Sequence, residues 1–151
     1  MEMSGEYRIA APIADVWAAL NDVDILTVCI PGCEELEQVS DTEMTAKVAL
    51  KIGPVKARFK GAVTFENVYA PNGYSIIGEG QGGIAGFAKG GADVQLVADG
   101  LETILTYQAQ AQVGGKIAQL GSRLIKSTAA KLADKFFKNF HDALTAEEVS
   151  A

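Results

Sequence analysis

The stretch LTYQAQAQVGGKIAQLGSRLIKSTAAKLADKFFKNFHDAL, running from Leu105 to Leu144, holds two different periodicities joined at a glycine pair. Leu105, Tyr107, Ala109, Ala111 and Val113 alternate with Thr106, Gln108, Gln110 and Gln112, the period of a strand with one wet face. Past Gly114-Gly115 the spacing lengthens. Ile125, Ala129, Leu132, Ala133, Phe136, Phe140 and Leu144 fall on one stripe of a helix, and Lys131, Asp134, Lys135 and Lys138 fall opposite. The spacing predicts one helix over 116–144, its apolar stripe turned toward a sheet, with a short tail over 145–151. Ile117, Leu120 and Leu124 form a second, rotated stripe near its start.

Upstream, the strand pattern continues. Met44, Ala46, Val48, Leu50 and Ile52 alternate with polar residues, as do Val55, Ala57, Phe59, Gly61, Val63 and Phe65, and later Ala92, Val94, Leu96 and Ala98. Gly53-Pro54, Pro71-Asn72-Gly73 and Asp99-Gly100 supply turns, so the strands form an antiparallel meander. Glu2 to Ala10 reads as a further strand, with Tyr7 and Ile9 on one face. Pro12 suits the first position of a helix, and Ile13, Val16, Trp17 and Leu20 follow at helical spacing. A second short helix spans Val23 to Ile30, before the stop at Pro31-Gly32. The fold class is therefore α+β: a curved antiparallel sheet around a long C-terminal helix, with two short helices after the first strand.

The 151 residues, 48% hydrophobic and 21% charged, form one domain over 1–144 and exclude a disordered chain or a disulfide scaffold. The longest uncharged run, Thr103 to Gly115, is too short for a membrane-spanning helix, which needs about 20 apolar residues. The N-terminus carries no basic region followed by an apolar run, so the expected location is the cytoplasm. A net charge of −6 argues against nucleic acid as a partner. The charge is segregated. Residues 1–45 hold a run of acids against Arg8 alone, and residues 114–144 are mostly basic, reading as two solvated faces or a docking surface.

Catalytic groups are scarce. His141, the one histidine, sits beside Lys138 and Asp142 on the helix, and Glu34, Glu35 and Glu37 read as a solvated strand edge. Cys29 and Cys33 flank a Pro-Gly turn, a spacing that suits buried reduced thiols, and no metal or cofactor is expected. Gly78-Glu79-Gly80-Gln81-Gly82-Gly83 spells G-x-G-x-x-G, but no helix follows it, so it is not a dinucleotide site. The glycines of 78–91 instead predict a sharply bent hairpin or a mobile lip, with Ile84 and Phe87 at its tip and Gly82, Gly83 and Gly86 as the gating loop. Bulky inward residues next to Ala46, Gly61, Ala109, Ala111, Ala129 and Ala133 fit either a packed core or a pocket. As a pocket, its expected lining is Phe59, Phe65, Ile84, Phe87, Tyr107, Leu120 and Leu124.

Cys29-Ile30-Pro31-Gly32-Cys33-Glu34 and Lys51-Ile52-Gly53-Pro54-Val55-Lys56-Ala57-Arg58-Phe59-Lys60-Gly61 resemble the CoxG family of carbon monoxide dehydrogenase proteins. So do Gly86-Phe87-Ala88-Lys89-Gly90 and the run from Gln112 to Ile125, and the resemblance covers nearly all of 1–141. The opening from Ala11-Pro12 to Trp17 and Leu20 is similar to the wider SRPBCC, or START-like, superfamily. The resemblance implies a helix-grip fold that binds an apolar ligand between sheet and helix. It further implies a non-catalytic accessory role beside a molybdenum hydroxylase of the carbon monoxide dehydrogenase type. Handling of a quinone (menaquinone or ubiquinone) and peripheral contact with the inner face of the membrane belong to the same implication. The alternative is a START-like enzyme or lipid-binding protein acting on an unrelated apolar molecule.

Overall fold

The computed structural model describes residues 1–150, with side chains through Thr145. Strand β1 (Glu2–Ile9) leads into helices α1 (Ile13–Leu20) and α2 (Val23–Cys29). Strands β2 (Cys33–Ser40), β3 (Glu43–Ile52), β4 (Val55–Tyr69), β5 (Gly73–Gln81), β6 (Phe87–Asp99) and β7 (Glu102–Gly114) follow, and helix α3 (Ser122–Ser150) closes the chain. The seven strands form one antiparallel sheet in the order β1-β7-β6-β5-β4-β3-β2. The helical pair α1–α2 thus carries the chain from one edge of the sheet to the other, and the meander walks back until β7 pairs with β1.

Local chemistry explains the element ends. The Asp22 carboxylate accepts from the backbone N–H groups of Asp24 and Ile25, capping α2, a contact worth about 1 kcal/mol. Pro12 is the N-cap of α1 rather than its first helical residue, because its extended ψ of 151° precedes the first turn. The Thr103 hydroxyl, fully buried, donates to the Ala11 carbonyl at 2.8 Å and fixes the bend between β1 and α1. Gly32 carries a φ of +75°, and a Cβ there would lie 2.0 Å from the Ala49 carbonyl oxygen, so this turn requires glycine.

The C-terminal helix differs from the expected span at both ends. Lys116–Leu120 is a separate 3-10 turn, and Gly121 at φ +92° breaks the chain direction before α3 starts at Ser122. The two apolar stripes therefore belong to two elements rather than to two faces of one helix. At the other end α3 continues to Ser150, past Leu144; Ala151 lies outside the described residues.

The core is divided into two clusters. The larger joins Ile9, Val16, Leu20, Cys29, Tyr74, Leu96, Leu105, Phe140 and Leu144 where α1, α2 and the second half of α3 cover the sheet. The Asn139 amide donates to the Cys29 carbonyl at 3.1 Å and ties α3 to α2 there. The smaller cluster, Val55, Phe59, Ala85 and Ile117, closes the opposite end under the two 3-10 turns, Gly83–Ala85 and Lys116–Leu120.

Candidate functional site

Between the two clusters the concave face of the sheet is built from small residues. Register aligns Ala46 with Gly61, Gly61 with Gly80, Val63 with Gly78, Gly78 with Gly90, Ala92 with Ala109 and Gly90 with Ala111. Each of these residues remains half-exposed although it lies on the face that α3 covers. The facing residues of α3, Ile125, Ala129, Leu132 and Ala133, are half-exposed as well. A close-packed layer would bury both sets, as it buries Leu105 and Phe140 completely. The middle of the grip is therefore a hollow, capped at both ends by apolar core.

The expected lining divides. Phe65 and Tyr107 pack on the larger cluster and bound the hollow from that side. Phe59 and Leu120 belong to the smaller cluster and bound the other. Leu124, at the start of α3, reaches the β3–β4 turn, where a Cβ on Gly53 would meet its Cδ2 at 2.8 Å. Ile84 and Phe87 do not join them. Ile84 is 93% exposed at the apex of the first 3-10 turn. Phe87 pairs in register with Gly114, one residue beyond the inward Val113, and its ring covers Gly114 on the convex face. A one-residue difference in strand parity decides that placement.

The glycine segment is tied down at two of its three expected hinges. A Cβ on Gly82 would meet the Phe59 ring at 2.5 Å, and the Gly82 N–H donates to the Gly86 carbonyl at 2.7 Å. Gly86, at φ +112°, presses on Gly114, whose carbonyl oxygen would stand 2.0 Å from a Cβ. Gly83 alone has open space around it.

One polar contact at the rim is not legible from the helical pattern. The Tyr7 hydroxyl of β1 donates to Asp134 Oδ1 of α3 at 2.5 Å. The Tyr7 ring stacks on Phe137 at 4.1 Å, and Phe137 stacks in turn on Tyr107 at 5.9 Å. Met3, Gly5, Tyr107, Ala109, Lys126 and Ala130 share the surrounding concavity. Burial first, then the hydrogen bond to Asp134, pushes the Tyr7 phenol above its ordinary range. Burial does the same to Tyr74. Helical spacing puts Asp134 on the solvated side, and it is exposed there; the signal that a partner reaches it is the large apolar Phe137 three residues on, outside the main stripe.

His141 is half-buried with its Nδ1 4.0 Å from Asp142, and Glu34 and Glu35 form exposed ion pairs with Arg58 and Lys47. Both cysteines are free thiols. Cys29 is buried, Cys33 only half so, and burial raises the pKa of each. Among the described residues no cluster of His, Cys, Asp or Glu has the arrangement of a metal site. No described helix is long and apolar enough to cross a membrane.

A curved antiparallel sheet gripping one long helix over a small-residue hollow defines a protein of the helix-grip class. Residues 5–145 match the carbon monoxide dehydrogenase CoxG family, and the chain belongs to it. A conserved protein from Geobacillus kaustophilus is similar at 28% identity and a TM-score of 0.91, over 97% of this chain and 96% of that one. A START superfamily protein from Mycobacterium smegmatis shares the fold at 13% identity and a TM-score of 0.73, over 96% and 97% of the two chains. Truncated norcoclaurine synthase from Thalictrum flavum, an enzyme, also shares it, at 16% identity and a TM-score of 0.62, over 95% and 92%. No curated protein sequence matches the chain.

Proposed function

We propose that the chain is a non-catalytic accessory protein of a molybdenum hydroxylase of the carbon monoxide dehydrogenase type, working at the cytoplasmic side of the membrane. It holds an isoprenoid quinone, menaquinone or ubiquinone, in the hollow beneath α3. The observation that carries the reading is the half-exposed row Ala46, Gly61, Gly78, Gly90 and Ala109 on a face otherwise covered by helix. Removing side chains from the centre of a covered sheet forfeits burial energy of roughly 25 cal/mol per Å², which an apolar guest restores when it enters. Phe59, Phe65, Tyr107, Leu120 and Leu124 bound the guest. The Tyr107 hydroxyl and the Lys126 ammonium at the rim offer donors to a carbonyl head.

The same face weighs against catalysis. The phenols pointing inward from the strands are Tyr7, Tyr74 and Tyr107, and two of these are held in their neutral form by burial. Neutral phenols donate hydrogen bonds; they do not act as bases near pH 7.

Titration of a short-chain ubiquinone analogue, read by quenching of Trp17 and tyrosine fluorescence, tests the ligand. Saturable micromolar binding supports the proposal, as does a quinone in the organic extract of purified protein. Absence of binding up to the solubility limit rejects it. Co-purification with the hydroxylase tests the partner independently.

A further inference from the structure

The Met1 ammonium donates to the Ala111 carbonyl at 3.1 Å, and the Ala111 N–H donates back to the Met1 carbonyl at 2.9 Å. In an antiparallel pair such exchanges recur at every second residue. Register then gives the bonds to β7 to Met3, Gly5, Tyr7 and Ile9, opposite Ala109, Tyr107, Leu105 and Thr103. The backbone N–H and C=O groups of Glu2, Ser4, Glu6 and Arg8 therefore point away from the sheet. No strand lies beyond them, and they have no backbone partner among the described residues. All four residues are exposed.

The two edges of the sheet differ. β2 is interrupted by register shifts at Cys33/Glu35 and Gln38/Ser40 and carries Glu34, Glu35 and Glu37, features that blunt an edge against further pairing. β1 pairs with β7 without a shift over its full length and holds neither proline nor lysine. α3 reaches β1 from the concave side, through the contacts of Tyr7 with Asp134 and Phe137. A regular edge with unused donors and acceptors is a template for another strand.

We propose that β1 pairs antiparallel with β1 of a second copy of the chain, on a two-fold axis through Gly5, so that one sheet continues across both molecules. Outward backbone groups bond only to outward ones, so Glu2, Ser4, Glu6 and Arg8 must face members of the same set. With the axis at Gly5, Glu2 faces the partner's Arg8 and Ser4 faces the partner's Glu6, each pairing occurring twice by symmetry. Moving the axis to Glu6 sets that acid against its own copy, and moving it to Ser4 sets Glu2 against the partner's Glu6. Like charges directly opposed destabilise a strand pair, so charge selects the register centred on Gly5. On the concave side the axis then passes between two residues without side chains; a Cβ on Gly5 would overlap the Tyr107 ring at 2.6 Å. Met3 falls opposite the partner's Tyr7. Met3 and Gly5 border the concavity beside the hollow, so the partner's Met3 closes its β1 side. The net charge of −6 per chain opposes association, but physiological salt screens charges more than about 8 Å apart, and the directly opposed charges are Glu2 and Arg8. The proposal does not depend on what the hollow holds.

Sedimentation equilibrium from micromolar to millimolar protein, at physiological salt, tests this surface. The wild type should pass from monomer to dimer across that range. Glu2→Arg should raise the dimer dissociation constant about tenfold or more, the equivalent of about 1.4 kcal/mol over the two symmetry-related pairs. Ser4→Pro removes an outward N–H that the monomer does not use, and should abolish the dimer. Circular dichroism checks that each variant folds, and Glu2→Arg, on an exposed side chain, keeps the test open should Ser4→Pro fail to fold. Amide exchange at Ser4, Glu6 and Arg8 should slow as concentration rises, whereas Met3, Gly5 and Tyr7, already bonded to β7, should not respond. The proposal is overturned by a wild type that stays monomeric at the highest concentration, even if the edge accepts a strand from another protein. A dimer that keeps its affinity in Glu2→Arg or in folded Ser4→Pro, or that protects none of these amides, overturns it as well and puts the interface elsewhere.

Discussion

The Tyr7 hydroxyl and the Asp134 carboxylate, 127 positions apart, meet at 2.5 Å across the gap between β1 and α3. β1 is one of the two edge strands, joined to the sheet through β7 alone, so this bond fastens that edge to the helix beside the hollow. Stacking of Tyr7 on Phe137 holds the phenol in position, which leaves the hydrogen bond little rotamer entropy to offset.

Tyr7→Phe should cost about 1 kcal/mol in urea unfolding, the usual net value of one such hydrogen bond. A change below a few tenths would mean that water replaces the contact at no cost.

The raised phenols of Tyr7 and Tyr74 make stability depend on alkaline pH. A group whose folded pKa lies above its unfolded value stabilises fully below the unfolded value, and that contribution disappears as pH rises toward the folded one. For tyrosine the loss begins near pH 10, at up to about 1.4 kcal/mol per pH unit per residue. Urea midpoints at pH 9, 10 and 11 should fall more steeply for wild type than for Tyr74→Phe. Parallel curves would contradict the assignment.

Phe140 and Phe136 stack at 5.8 Å, but the first is completely buried and the second half-exposed toward the hollow. Phe140→Ala should destabilise by about 3–5 kcal/mol, the range for large core truncations. Phe136→Ala should lose clearly less. Equal losses would place Phe136 in a packed layer.

Gly78 faces the hollow, and a Cβ there meets only ordinary contacts at 3.8 Å. Gly78→Val should therefore keep or raise the melting temperature while weakening quinone binding by about tenfold or more, the equivalent of about 1.4 kcal/mol of overlap with the guest. Gly86→Ala is the contrasting case. Its φ of +112° and its contact with Gly114 predict a loss of more than about 2 kcal/mol, a drop of at least about 4 °C in a domain of this size. Unchanged quinone affinity in Gly78→Val would move the ligand elsewhere.

Period and punctuation in the sequence were enough to determine β1, β3, β4, β6 and β7, the two short helices, the long amphipathic helix and their α+β arrangement. Each strand had to turn one apolar face inward, and each helix one stripe, for the chain to bury its surface at all. The inward placement of Phe59, Phe65 and Tyr107 follows from the same alternation. Tertiary structure alone decided the rest. Phe87 lies on the convex face because β6 pairs without a bulge from Phe87 to Asp99, which keeps it on the side opposite Ala92, Val94 and Leu96; where β6 begins was settled by its pairing with Gly114 and Gln81. The expected helix from 116 divides at Gly121 because its positive φ is needed to fold the Lys116–Leu120 turn over Phe59. Asp134 gains Tyr7 as a partner because two elements far apart in sequence close on one another. Whether the small residues of the concave face leave a hollow depends on the distance between sheet and helix. That distance is set by how the ring stack of Tyr7, Phe137 and Tyr107 and the cluster around Phe59 prop α3 at its two ends.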